Sequence, residues 1–146
     1  MRRTVMLLLA GIGVLAGCQV LGPAPTPLLD GAGGVTEWQV GDDNIPDAFT
    51  RGTAAFARAQ DLVDAVLAEA TGQGLPPGAR LWSDVQATGS GSAVGIIQLA
   101  NAGDDSVAGQ EIRLRLLRDP AGWYIDAIAY RSHCRRGVDP SGDFCV

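Results

Sequence analysis

Between Gly72 and Pro77 the apolar residues of this 146-residue chain stop recurring every third or fourth position and begin recurring every second, a change that dictates helix before it and strands after it. Upstream, Ile45, Phe49, Phe56, Ala59, Val63, Val66 and Ala70 share a helical seam that Leu62 and Leu67 widen, with Gly52 filling one position. Asn44 can cap the first amides, Pro46 falls in the first turn, and Asp42, Asp43 and Asp47 suit the positive end of the helix dipole. A helix is therefore predicted over residues 45–70, stopped by Gly72, Gly74, Pro76 and Pro77.

Four strands are predicted after it. The first, over 79–88, places Leu81, Val85 and Ala87 on one face. The turn from Thr88 to Ser92 leads into an apolar strand over 93–100, and a second turn over 101–105 leads into a strand over 107–118. There Ile112, Leu114 and Leu116 oppose Glu111, Arg113 and Arg115, so one face is expected to be wet. After the turn at Asp119–Gly122, Trp123, Ile125, Ala127 and Ala129 alternate with Tyr124, Asp126, Ile128 and Tyr130 over 123–131. The economical packing is α+β, with one long N-terminal helix on a four-stranded antiparallel sheet. Helix followed by meander, closing on Gly122-Trp123-Tyr124-Ile125-Asp126-Ala127-Ile128, resembles the cystatin-like and nuclear-transport-factor-like small domains. In an enzyme, that resemblance implies a pocket between helix and sheet holding a residue such as Asp84, Asp126 or Tyr124.

The first eighteen residues carry an address. Met1-Arg2-Arg3 is a positive start, and the apolar run from Val5 to Ala16 is shorter than the roughly 20 residues that span a bilayer. Leu15-Ala16-Gly17-Cys18 resembles the lipobox of bacterial lipoproteins. The resemblance implies cleavage before Cys18, a diacylglycerol thioether on its sulfur, and attachment of the chain to a membrane outside the cytoplasm. Each buried methylene contributes about 0.8 kcal/mol, so two or three acyl chains hold a small domain firmly. Gln19 in place of Asp implies delivery to an outer membrane where one is present, and otherwise to the outer face of the plasma membrane. Residues 1–17 are thus expected to be a signal peptide and 18–36 a lipidated cysteine with a Pro/Gly-rich tether. Residues 37–146 are left for a single domain.

Eleven arginines and no lysine oppose sixteen acids, and loss of Arg2 and Arg3 leaves nine against sixteen, a net charge of about −7. Such a chain repels phosphate backbones, so nucleic acid is not an expected partner. With Cys18 taken by lipid, Cys134 and Cys145 remain as an even pair, and a disulfide is expected around RRGVDPSGDF. The competing use of those sulfurs, a soft-metal site with His133 and Asp143, is disfavoured because His133 and Cys134 point to opposite faces of a strand. His133 is expected at the surface of a strand end.

Arg131, Arg135 and Arg136 form a basic cluster at the mouth of that loop, able to meet an anionic ligand or partner or to balance nearby acids. Gly89 to Gly95 lacks the following helix that a phosphate loop needs, and Asp139 to Asp143 lacks the terminal carboxylate of a calcium loop. Trp38, Trp82 and Trp123 are expected in the core or at its edge. No cofactor, metal or catalytic residue is expected. What the sequence favours is an envelope domain that binds a protein or small ligand through the sheet face away from the helix or through the disulfide loop. A small enzyme and a purely structural protein are the alternatives.

Overall fold

The computed structural model describes residues 29, 33–41, 45–72, 74–101 and 105–146. Cys18 and the leader lie outside the described residues, as do Asp42, Asp43, Asn44 and Asp104. The fold is α+β: one helix, α1 (Ala59–Thr71), lies against an open five-stranded antiparallel sheet. Its strands are β1 (Gln39–Val40), β2 (Arg80–Gly89), β3 (Ser92–Ala100), β4 (Val107–Arg118) and β5 (Trp123–Cys134). They stand in the order β1-β5-β4-β3-β2, so the last four form the expected meander and β1 adds itself beside β5.

Turn chemistry sets the register. Ser90 and Gly91 reverse the chain between Gly89 and Ser92, and the pairing of Val85 with Gly95 and Leu81 with Leu99 follows. Asp119 closes the β4–β5 turn by accepting the amides of Ala121 and Gly122 on its carboxylate. Gly122 adopts φ +149°, and a side chain there would strike the backbone of Phe56, so only glycine fits.

The helix face of the sheet is the apolar core. Leu62 and Val63 of α1 are fully buried against Ala93, Ile97, Leu114, Leu116 and Ile125, with Phe49 at one side. Gly95 lets α1 approach, because a Cβ there would run into the Val63 side chain. Arg58 precedes the helix in an extended conformation and pairs with Asp61 in the first turn. Its guanidinium holds the exposed Asp61 carboxyl below the usual range, chiefly through the side-chain hydrogen bond.

Three expectations need correction. The helix expected over 45–70 is broken: a 3-10 turn spans Asp47–Phe49, and α1 starts only at Ala59. Gly52, read as a filler in the seam, adopts φ +81° in a turn, and the Thr50 hydroxyl donates to the Asp47 carbonyl. Phe56 then pairs with Trp123 as an isolated bridge, which fixes the segment as extended chain. The sheet has five strands rather than four, because two-residue β1 is too short to show a period. In β5 the alternation breaks at a bulge, where Arg115 pairs with Ala127 but Leu116 with Ile125. That extra residue turns Ile128 onto the helix face with Ile125 and leaves Ala127 and Ala129 on the other.

Candidate functional site

The strand face turned away from α1 is not uniformly wet. Gln98 on β3, Glu111 on β4 and His133 on β5 are 4%, 7% and 5% exposed, although the sequence puts Glu111 on a wet face and His133 at the surface. Cross-strand pairing of Gln98 with Glu111 and of Glu111 with Arg131 brings them together. The Gln98 amide donates to Glu111 Oε2 at 2.8 Å, and Arg131 donates to Oε1 at 2.9 Å. His133 Nε2 lies 3.3 Å from Oε2. A buried carboxylate is tolerable only with such company, and these partners supply it. His133 is therefore a core residue, not the surface residue expected at a strand end. Its Nδ1 and the Nε of Arg131 are buried without a hydrogen-bond partner among the described residues.

Chain on either side of the domain seals this cluster. Val35 bridges to His133, the Thr36 amide donates to the Ser132 carbonyl, and the Thr36 hydroxyl accepts the Ser132 amide. Residues 33–36, assigned to the tether from sequence, are thus bonded to the sheet. Leu29 is buried over Gly109, where any side chain would displace it. Trp38 covers the Arg131 guanidinium, whose carbon sits 4.4 Å from the ring centroid. From the other end, the disulfide Cys134–Cys145 draws the C-terminal loop against the same segment, with the Glu37 amide donating to the Gly142 carbonyl. Inside the loop, Asp139 accepts the Ser141 hydroxyl and the amides of Ser141, Asp143 and Phe144, which holds its carboxyl down to about 2. Those bonds occupy the oxygens that a calcium reading would have used.

Farther along the same face the sheet opens into a groove of about 420 Å³. Ala127 and Ala129 on β5 form its floor between Val40 on β1 and Arg113 and Arg115 on β4, with Val94 beyond the arginines on β3. The groove exists because Ala127 and Ala129 are too small to fill the space between Val40 and the arginines, and the β5 bulge is what aims both alanines there. Arg115 pairs with Asp126 at 2.5 Å. Arg113 has no acidic partner among the described residues.

The basic cluster read from sequence does not converge on a ligand. Arg131 is committed to Glu111 and Trp38, Arg135 to the Val107 carbonyl and the Asn101 side chain, and Arg136 to Asp105. The three residues named for an enzyme are not gathered either. Asp84 accepts from Gln86 on β2, Asp126 pairs with Arg115, and Tyr124 is buried on β5. A second cleft, about 280 Å³ between α1, the 3-10 turn and the sheet, is lined by Ile45, Phe49, Val66, Ile112 and Ile125 with Glu69 at its lip, and none of those three lines it. Among the described residues no group of three or more His, Cys, Asp or Glu is placed to hold a metal ion.

Sequence reasoning missed Arg113 at the side of a groove, Ala127 and Ala129 as its floor, and Glu111 as a buried acid. The small size of two alternate residues in a strand was the available signal for the groove. Nothing in a lone Glu on a polar-looking face signals burial. No family model, curated protein or solved structure matches this chain.

Proposed function

We propose that this chain is a cell-envelope lipoprotein, anchored through Cys18, whose single domain binds an acidic ligand with an apolar body in the groove beside Arg113. The observation that carries the binding reading is that cation above an apolar floor, in a chain that is otherwise acidic. An anionic group would pair with Arg113 and share Arg115 with Asp126, while Val94, Ala127 and Ala129 would take apolar surface. The disulfide supports an oxidising compartment, and the lipobox resemblance supports the anchor. Among the described residues no helix is long and apolar enough to cross a membrane. The helix-then-meander order supports the cystatin-like resemblance. A binding role is preferred to catalysis because the buried Glu111–His133 pair is sealed, and the helix–sheet cleft is apolar apart from its lip.

Two experiments test the two halves. Intact-mass analysis of membrane-extracted protein should show loss of residues 1–17, acyl mass, and the two-hydrogen deficit of one disulfide. A full-length unacylated chain recovered from the cytoplasm would sink the anchor. For the groove, dodecanoate titrated into the chain freed of residues 1–18 should move the amide resonances of Val94, Ala127 and Ala129, and Arg113→Glu should weaken binding about tenfold or more. Shifts confined to Phe49, Ile112 and Ile125, or no shifts, would refute it.

A further inference from the structure

The two edges of the sheet are treated differently. At one edge stands β1, two residues long and flanked by the C-terminal loop through Glu37–Gly142 and Gln39–Asp143 hydrogen bonds. At the other stands β2, ten residues long, paired on one side with β3 and on the other with nothing among the described residues. Exposed edges are usually blunted by proline, charged side chains, shortness or an early bulge. From Arg80 to Gln86, β2 has no proline and no irregularity, which comes only between Ala87 and Gly89, and its two charges, Arg80 and Asp84, are of opposite sign.

The order of residues along that edge is self-complementary. Leu81 and Val85 lie on the helix face, which puts Arg80, Trp82 and Asp84 together on the other. Arg80 is exposed and has no acidic partner among the described residues. Among the described residues Asp84 meets the neutral Gln86 amide and no cation. We propose that β2 is a homodimer edge, pairing antiparallel with β2 of a second copy about a two-fold axis at Trp82, so that Arg80 of each copy lies opposite Asp84 of the other. In this register Trp82 meets Trp82, Leu81 meets Ser83, and two opposite-charge pairs flank an aromatic pair, each a favourable cross-strand combination. Centring the axis on Asp84 would set two carboxylates face to face, and centring it on Ser83 would set Trp82 against Asp84. The two sheets would join into one of ten strands with both α1 helices on the same side.

A strand-sized contact is small, so the dimer is expected to be weak and concentration-dependent. Sedimentation of the purified full chain should show it, and Arg80→Asp alone or Asp84→Arg alone should each weaken self-association about tenfold or more. An equimolar mixture of the two variants should dimerise again, because each then offers what the other lacks. In a chain that also carries Cys18→Ser, so that the introduced thiol is the one outside the disulfide, Trp82→Cys should cross-link to itself under mild oxidation, whereas Gln86→Cys, off the axis, should not. A chain that stays monomeric, single variants that associate undiminished, a mixture that fails to recover while Trp82→Cys also fails to cross-link, or cross-linking through Gln86→Cys would overturn the proposal.

Discussion

The two faces of this sheet reach burial by opposite means. Against α1, Leu62, Val63, Leu114 and Leu116 exclude water by apolar packing alone. On the other face, Gln98, Glu111, Arg131 and His133 are enclosed beneath Trp38 and beside Leu29, held by hydrogen bonds and charge. Apolar packing is insensitive to direction and degrades gradually, whereas a buried ion pair depends on every partner being present. The far face is therefore held by specific partners rather than by packed area, and the open groove lies beside it.

The sharpest way to break that comparison is to remove one side chain from each face and measure denaturant unfolding. Leu114→Ala should cost about 3–4 kcal/mol through the cavity it leaves. Glu111→Ala should cost about 3 kcal/mol, because it strands the half-buried Arg131 guanidinium without its carboxylate. A loss below about 1 kcal/mol for Glu111→Ala would show that the polar cluster adds little. Next in size, replacing both Cys134 and Cys145 by Ser should cost about 2–3 kcal/mol by the same measurement, with the loss of order confined to the segment 33–40 and the C-terminal loop.

The smallest expected effect is local and pH-dependent. Hydrogen bonds hold the Asp139 carboxyl at about 2, below the ordinary aspartate value of 3.8, so its contribution is fully present above about pH 4 and is lost as pH falls through about 2. The Phe144 amide resonance should follow that window, and Asp139→Asn should abolish the response while the β-sheet signals stay put. Retention of the response in Asp139→Asn would assign it to another group.

The same contrast decides what could be read in advance. The strands β2 to β5 and the apolar seam Leu62, Val63, Leu114 and Leu116 were legible, because burial on one side imposes a period of two or of 3.6. The disulfide was legible once Cys18 was read as a lipid site, a reading that leaves Cys134 and Cys145 as a pair. The long helix failed at Gly52, whose positive φ outweighs an uninterrupted seam. His133 and Glu111 failed for a different reason: period analysis treats any charged face as solvent, and these are covered by residues distant in sequence, Leu29 and Val35 to Trp38. The groove depended on a one-residue bulge between Arg115 and Leu116, a feature that strict alternation cannot carry.

One arrangement at the end of the sheet has a mechanical consequence. The Gly33 amide donates to the Cys134 carbonyl, and Cys134 is joined covalently to Cys145. A pull on the chain at Gly33 is therefore passed to the last residue of β5, where a covalent staple resists the peeling of the strand end.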